Sequence, residues 1–323
     1  MAAPLDRSGP PAGTLMARLD RPRSTDRTRV AVIADPHLST EETGTSKLFE
    51  RTEEHVAAAV ADITQRGVDA TLCVGDITKD GEPWNFDRFD EIADDLDGPF
   101  YSIPGNHDVP KEGYDHENLP MDEFEARYAP DGQDFPFRVA VGGVDVIGVN
   151  TAGTDEWLYD SHAGAVPESH LDELDDLLAD ADTPLVLAHH NLPAMSEQVH
   201  EHRELAEPDM FVPPEMDDPE PFVETLQRND VPLLLTGHLH MPSAAAQGSV
   251  RELMMPTTCS FPQGYCLIDV GPEGTEVRFV PVADFDGMVA GHRERSSDSV
   301  TARGLTGMAA VRLAQSPNLT TAR

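Results

Sequence analysis

Lysine is almost missing from this chain. Of 323 residues only Lys47, Lys79 and Lys111 are lysines, so the remaining basic residues are Arg, and 59 acidic residues against 23 basic ones leave a formal charge of -36. An acidic surface poor in Lys is the pattern expected of a protein that stays soluble in a salt-rich cytoplasm, and most of these carboxylates read as solvated surface. Such a charge repels nucleic acid at low ionic strength. At about 1 M salt the Debye length shrinks to about 3 Å, so a nucleic-acid partner is disfavoured but not excluded.

Cysteine is equally scarce. Cys73, Cys259 and Cys266 are odd in number and set in apolar surroundings, which favours reduced core thiols over a Cys259–Cys266 disulfide or a metal role. Nothing approaches the roughly 18 to 20 consecutive apolar residues that a membrane span requires, and the start of the chain has no apolar signal core. The expectation is a soluble, cytoplasmic protein. Oligomeric state is not legible.

The charge is unevenly spread. Residues 1–30 hold six Arg and three Asp, and residues 287–323 hold five Arg with Glu294 and Asp298. Each end therefore carries +3, and the middle about -42. Residues 1–28 read as a flexible N-terminal arm, 29–286 as a single catalytic domain and 287–323 as a mobile or weakly helical C-terminal tail. No internal repeat interrupts this organisation.

Within the middle, apolar runs that read as β-strands recur at 30–34, 71–74, 99–104, 184–188 and 231–236. Each is followed at once by a polar cluster: Asp35-Pro36-His37, Gly75-Asp76, Gly105-Asn106-His107-Asp108, His189-His190, and Gly237-His238-Leu239-His240. The carboxyl ends of strands in an open α/β sheet share one edge, so five distant fragments can form one site there. Carboxylates, imidazoles and an amide together make a donor set for divalent metals. Asp35 and His37, like His238 and His240, stand two apart, so an extended backbone would point both members of each pair the same way.

Helices are expected over 47–66, with Val56, Ala59, Val60 and Ile63 at helical spacing and Gly67 as the stop, over 85–96, and from Pro167 onward. Residues 137–150 read as a hairpin turning at Gly142-Gly143, and 265–282 as another around 271–274. Alternating helices and strands favour a layered α/β fold.

The five clusters, in this order, resemble the calcineurin-like metallophosphoesterase superfamily, with its D-x-H, G-D, G-N-H-D/E, H and G-H-x-H elements. The resemblance covers roughly residues 30–282. It implies a four-layer α-β-β-α sandwich of two mixed β-sheets flanked by helices, with a metal site at the C-terminal strand ends. It also implies two divalent ions, with Mn, Fe and Zn all compatible: Asp35, His37, Asp76 and His240 on the first, Asp76, Asn106, His189 and His238 on the second, Asp76 bridging.

By the same resemblance, a bridging hydroxide attacks phosphorus in line, and His107 stabilises the transition state or protonates the leaving oxygen. Asp108 is then either a supporting partner or a carboxylate capping the next turn. The fourth element is ambiguous, because the proline that normally follows the ligand closely has moved in His189-His190-Asn191-Leu192-Pro193. His189 is preferred, with His190 as an ordinary loop histidine or a substrate contact. The remaining histidines, His162 among them, are assigned to surface or structural roles, with His200 and His202 placed in a loop.

The stretch Gly75-Asp-Ile-Thr-Lys-Asp-Gly81 is similar to the G-D-L-T-x-x-G of the class III cyclic nucleotide phosphodiesterases and glycerophosphodiesterases. The implied substrate is a small phosphodiester. Alternatives are a nuclease or phosphomonoesterase of the same superfamily and, in another class, a non-catalytic scaffold that keeps the fold.

Overall fold

The computed structural model describes residues 13–111, 113–153 and 162–319. Two six-stranded mixed sheets lie at its centre. The first runs β1 (Thr14–Leu19), β12 (Gly274–Pro281), β11 (Gly264–Gly271), β2 (Thr28–Ile33), β3 (Ala70–Cys73) and β4 (Phe100–Ser102). Its first four strands pair antiparallel, and β2, β3 and β4 pair parallel. The second runs β5 (Phe137–Val141), β6 (Val144–Gly148), β7 (Pro184–Leu187), β8 (Leu233–Thr236), β10 (Val250–Met254) and β9 (Ser243–Gln247), with β6, β7, β8 and β10 parallel.

The period of two along each strand builds the layers. Val30 and Val32 of β2, Leu185 and Leu187 of β7, and Leu233 and Leu235 of β8 face the core between the sheets. Their neighbours face outward. Ala31 and Ile33 pack on Ala59 and Ile63 of α1 (Thr52–Arg66), and Val186 and Leu234 pack on Leu174 of α4 (Glu168–Ala179) and Phe222 of α6 (Glu220–Arg228). Strands buried on both faces read as unbroken apolar runs, which is why they were visible in the sequence. Further helices are α2 (Pro83–Ala93), α3 (Met121–Tyr128) and α5 (Pro193–Ala206). The two expected hairpins are present, and Gly67 ends α1 in a left-handed conformation.

Both ends of the chain differ from expectation. Residues 14–19 are not a loose arm: β1 is an edge strand on β12, with a register shift between Leu15 and Ala17 that breaks the alternation a strand normally shows. Beyond Val282 the chain forms α7 (Phe285–Asp298) and α8 (Val300–Ala314), each with a capping side chain: Asp284 accepts from the Gly287 amide and Ser299 from the Ala302 amide. These helices lack a broad apolar stripe, and α7 docks mainly through polar and small residues, so periodicity did not reveal them. His200 lies on α5, not in a loop, and pairs with Glu215. All three cysteines are free and buried. Among the described residues no helix is long and apolar enough to cross a membrane.

Candidate metal centre

The loops after β2, β3, β7 and β8, with the one after β4, meet at one end of the two sheets. The first two run side by side: the Asp35 amide donates to Gly75 O, and the His37 amide to Asp76 O at 2.9 Å. The backbone is not extended here. Asp35, His37, Asp76, His238 and His240 all have positive φ, between 43° and 74°, a region that side-chain-bearing residues seldom occupy and that persists only where surroundings impose it. Pairs two apart therefore converge because a left-handed turn aims each member separately. Gly105 is required by closeness, since a Cβ there would collide with the Asp76 carboxylate.

Asp35, His37, Asp76 and His240 each offer a ligand atom, all within 4.8 Å of one another. His37 Nε2 lies 2.9 Å from His240 Nε2 and 3.3 Å from Asp76 Oδ2. Asp35 Oδ1 accepts from the His238 amide, while Asp35 Oδ2 is buried with no hydrogen-bond partner. A buried carboxylate oxygen left bare beside two facing imidazole nitrogens calls for a cation, and this donor set of oxygen and nitrogen suits a divalent one.

On the other side of Asp76 lie Asn106, His189 and His238. Asn106 Oδ1 is 3.1 Å from His189 Nε2 and 2.9 Å from His238 Nδ1, and Asp76 Oδ2 is 3.4 Å from His189 Nε2. Each imidazole donates from its remote nitrogen to a backbone carbonyl: His189 Nδ1 to Val74 O at 2.7 Å, His238 Nε2 to Pro214 O at 2.8 Å. That turns the other nitrogen of each ring into the site, where it offers a lone pair to a cation once His189 has given up its proton.

Burial opposes charge on His189, but Asp76 and Asp35 outweigh it and lift its pKa to about 9. Against the same burial, His189, His107 and His37 hold Asp76 well below the usual carboxylate range. Burial raises Asp35 to about 7. The cluster binds a proton at the place where its negative charge gathers.

The remaining expected residues separate by role. His190 is buried beside His189 and His238, yet both its nitrogens are used: Nε2 donates to His162 O at 3.0 Å, and Nδ1 meets the Thr151 hydroxyl at 2.9 Å. Asp108 is buried and accepts from the amides of Ile77, Thr78 and Gly105, so it ties two site loops together. His107 keeps its Nδ1 on Asp80 Oδ1 at 2.9 Å, while its amide donates to Asp76 Oδ1 at 2.8 Å. Its Nε2 faces the pocket, 3.2 Å from Lys47 Nζ.

Several site residues were not expected from the sequence. Asp80 orients His107 and takes the Tyr114 hydroxyl. His162, assigned to the surface or to structure, instead lines the site: its Nδ1 accepts from Asn106 Nδ2 at 2.6 Å and Lys111 Nζ at 2.9 Å, which turns the Asn106 oxygen toward His189 and His238. Two of the three lysines, Lys47 and Lys111, reach the site, and in a chain so poor in Lys their rarity was the available signal. Burial lowers the pKa of Lys111 to about 8.

The pocket beside the cluster has a volume of about 250 Å³. A larger open groove of about 980 Å³ lies away from these residues. Arg18, Arg29 and Arg66 in its wall are paired with Glu276, Asp269 and Asp62.

A two-sheet α/β sandwich whose strand ends bring acidic and imidazole ligands together defines a metal-dependent hydrolase. The chain belongs to the calcineurin-like phosphoesterase family, whose model matches residues 28–242. It is 31% identical over 166 residues to a probable cyclic nucleotide phosphodiesterase of Pseudoalteromonas sp., covering 50% of this chain and 56% of that relative. It is 26% identical over 238 residues to the 3',5'-cyclic adenosine monophosphate phosphodiesterase CpdA of Haemophilus influenzae, covering 70% of this chain and 75% of the relative. The fold is similar to that of a dimetal phosphatase from Danio rerio, with a TM-score of 0.62 at 13% identity over 80% of this chain and 97% of the other.

Proposed function

We propose that this protein is a dinuclear-metal phosphodiesterase acting on small phosphodiesters such as cyclic nucleotides. Asp35, His37, Asp76 and His240 would hold one ion and Asp76, Asn106, His189 and His238 the other, with Mn, Fe or Zn all suited to these donors. The observation that carries this reading is the position of Asp76 Oδ2, 3.3 Å from His37 Nε2 on one side and 3.4 Å from His189 Nε2 on the other. A carboxylate shared between two ligand sets offsets the mutual repulsion of two cations. When bound, such a pair neutralises phosphoryl oxygens and acidifies a water near neutral pH.

The chain's own groups do the rest. Asp80 accepts the Nδ1 proton of His107, which leaves Nε2, beside Lys47 Nζ at 3.2 Å, as the atom that would pass a proton to a departing ester oxygen once the ring is charged, a state that burial and Lys47 oppose. Lys47, which lines the pocket, would add positive charge where phosphoryl oxygens would lie. His162 and Lys111 keep the Asn106 amide in its ligating orientation. The phosphodiesterase names of the relatives from Pseudoalteromonas and Haemophilus support a diester substrate. A pocket of about 250 Å³ in an acidic molecule supports a small one over a nucleic-acid strand.

Activity in high salt with added Mn²⁺ tests this on bis-p-nitrophenyl phosphate, p-nitrophenyl phosphate, cyclic nucleotides and single-stranded DNA. The expected order places a small diester first. Asp76→Ala should lose both metal occupancy and hydrolysis. Full activity with two ions bound in that variant, or a higher kcat/KM on the monoester than on every diester, overturns the reading.

A further inference from the structure

Arg295 is 3% exposed. Its guanidinium donates to the carbonyls of His240 at 2.7 Å, Leu239 at 3.2 Å and Phe261, and among the described residues it has no carboxylate partner. A buried cation without a counter-charge is a poor way to stabilise a fold, since desolvation costs it more than neutral acceptors return. The carbonyls it holds belong to the loop of His238 and His240, whose φ values of 74° and 56° need outside support.

The helix that carries Arg295 is seated closely. A Cβ at Gly291 would run into the Gln263 amide, and Gln263 Nε2 donates to Gly287 O at 3.2 Å.

The same helix pair walls the pocket. Ala302 and Leu305 of α8 line the pocket together with Pro213, Pro214, Asp76, Asn106 and His240. The nearby hydroxyls are committed to backbone, Ser299 to the Ala302 amide and Thr301 to both polar groups of Phe211. What α8 presents to the pocket is therefore apolar. The charged residues of the pocket, apart from its imidazoles, are Lys47, Arg295 and Asp76. This balance suits a neutral or anionic organic group and disfavours a cationic headgroup. All of these α7 and α8 residues lie beyond the family-matched span 28–242.

We propose that the C-terminal helix pair is part of the catalytic apparatus. Arg295 is a positioning residue that clamps the loop of His238 and His240, and the start of α8 is the surface against which the substrate's uncharged organic group lies. This deepens the phosphodiesterase reading and rests on it.

Two variants of the full chain test the two parts. Arg295→Met keeps the bulk and removes the donors. Its Mn²⁺ affinity, measured by calorimetric titration of the stripped protein, should fall about 10- to 100-fold, with partial recovery in Arg295→Lys. A folded Arg295→Met with wild-type affinity and kcat overturns the clamp. If that variant does not fold, the Lys variant decides, because an affinity equal to wild type without the three-carbonyl geometry also overturns it.

Ala302→Leu narrows the pocket from α8. It should raise KM for bis-p-nitrophenyl phosphate about tenfold more than KM for methyl p-nitrophenyl phosphate. Equal effects on the two esters overturn the wall assignment. Wild-type protein that binds Mn²⁺ and hydrolyses neither ester removes the phosphodiesterase reading and the wall with it, while the affinity arm still decides the clamp.

Discussion

In the proposed reaction Asp76 and His107 would divide the work of the site between one group that binds charge and one that moves a proton. They are linked, because the His107 amide donates to Asp76 Oδ1 and the His107 ring packs edge-on against His37 at 4.8 Å between centroids, yet its two ring nitrogens are directed to Asp80 and Lys47. His107→Asn should therefore keep near-normal metal content while losing about 10² to 10⁴-fold in activity, the usual scale of a general acid or base. The loss should be smaller for p-nitrophenyl esters, whose leaving group needs little protonation, than for alkyl esters. Collapse of metal content in this variant would move His107 into the ligand set.

A second residue-scale consequence comes from Glu252. It is fully buried under the fourth and fifth loops and accepts from Asn191 Nδ2, the Thr236 hydroxyl and the Leu192 amide. Burial raises its pKa from 4.5 to about 7 despite these donors. Between those values the folded chain keeps a proton that the unfolded chain has released, so stability falls as pH rises through this window and levels off above it. The contribution is on the order of 3 kcal/mol. Urea midpoints measured from pH 4.5 to 8 should decline more steeply for wild type than for Glu252→Gln, and parallel profiles would contradict the raised value.

At the level of elements, the legible parts of this protein were those that repeat a simple period. β2, β7 and β8 alternate between two buried faces, so each appeared as a short apolar run with its ligands directly after it. The candidate ligands could be named from the sequence because carboxylate and imidazole clusters at strand ends are rare, and the structure brings them to one place. What lay hidden was long-range or irregular: the left-handed backbone at Asp35 and His240, the bulged edge strand β1, and α7, docked by Arg295, Gly287 and Gly291 rather than by an apolar stripe. Asp80, Lys111 and His162 were hidden for a related reason, since their roles depend on which loop lies beside which.

Gly105 tests the idea that close loop packing, not the ligands alone, makes the site. Gly105→Ala leaves every ligand in the sequence but sets a methyl group against Asp76. Metal content should fall sharply while far-UV circular dichroism stays like wild type. Retention of both ions would show that the β4 loop can yield by the space of a methyl group without moving Asp76.

For the molecule as a whole, the strongest influence on stability outside the core is electrostatic. With 59 acidic and 23 basic residues, one-to-one pairing would leave 36 carboxylates without a basic partner. Some bases are shared instead: Arg127 alone meets Asp87, Asp90 and Glu123. The native state gathers this charge into a small volume, and unfolding relieves the repulsion, so screening should favour the folded form. The Debye length falls from about 30 Å at 0.01 M to about 10 Å at 0.1 M and about 3 Å at 1 M. Melting temperature should therefore rise from low to molar KCl, and the rise should flatten once screening is complete. Sodium sulfate, which also strengthens apolar burial, should keep raising it beyond that point. A flat KCl profile would mean that the acidic surface carries little of the folding free energy, and that the excess of carboxylates serves solubility alone.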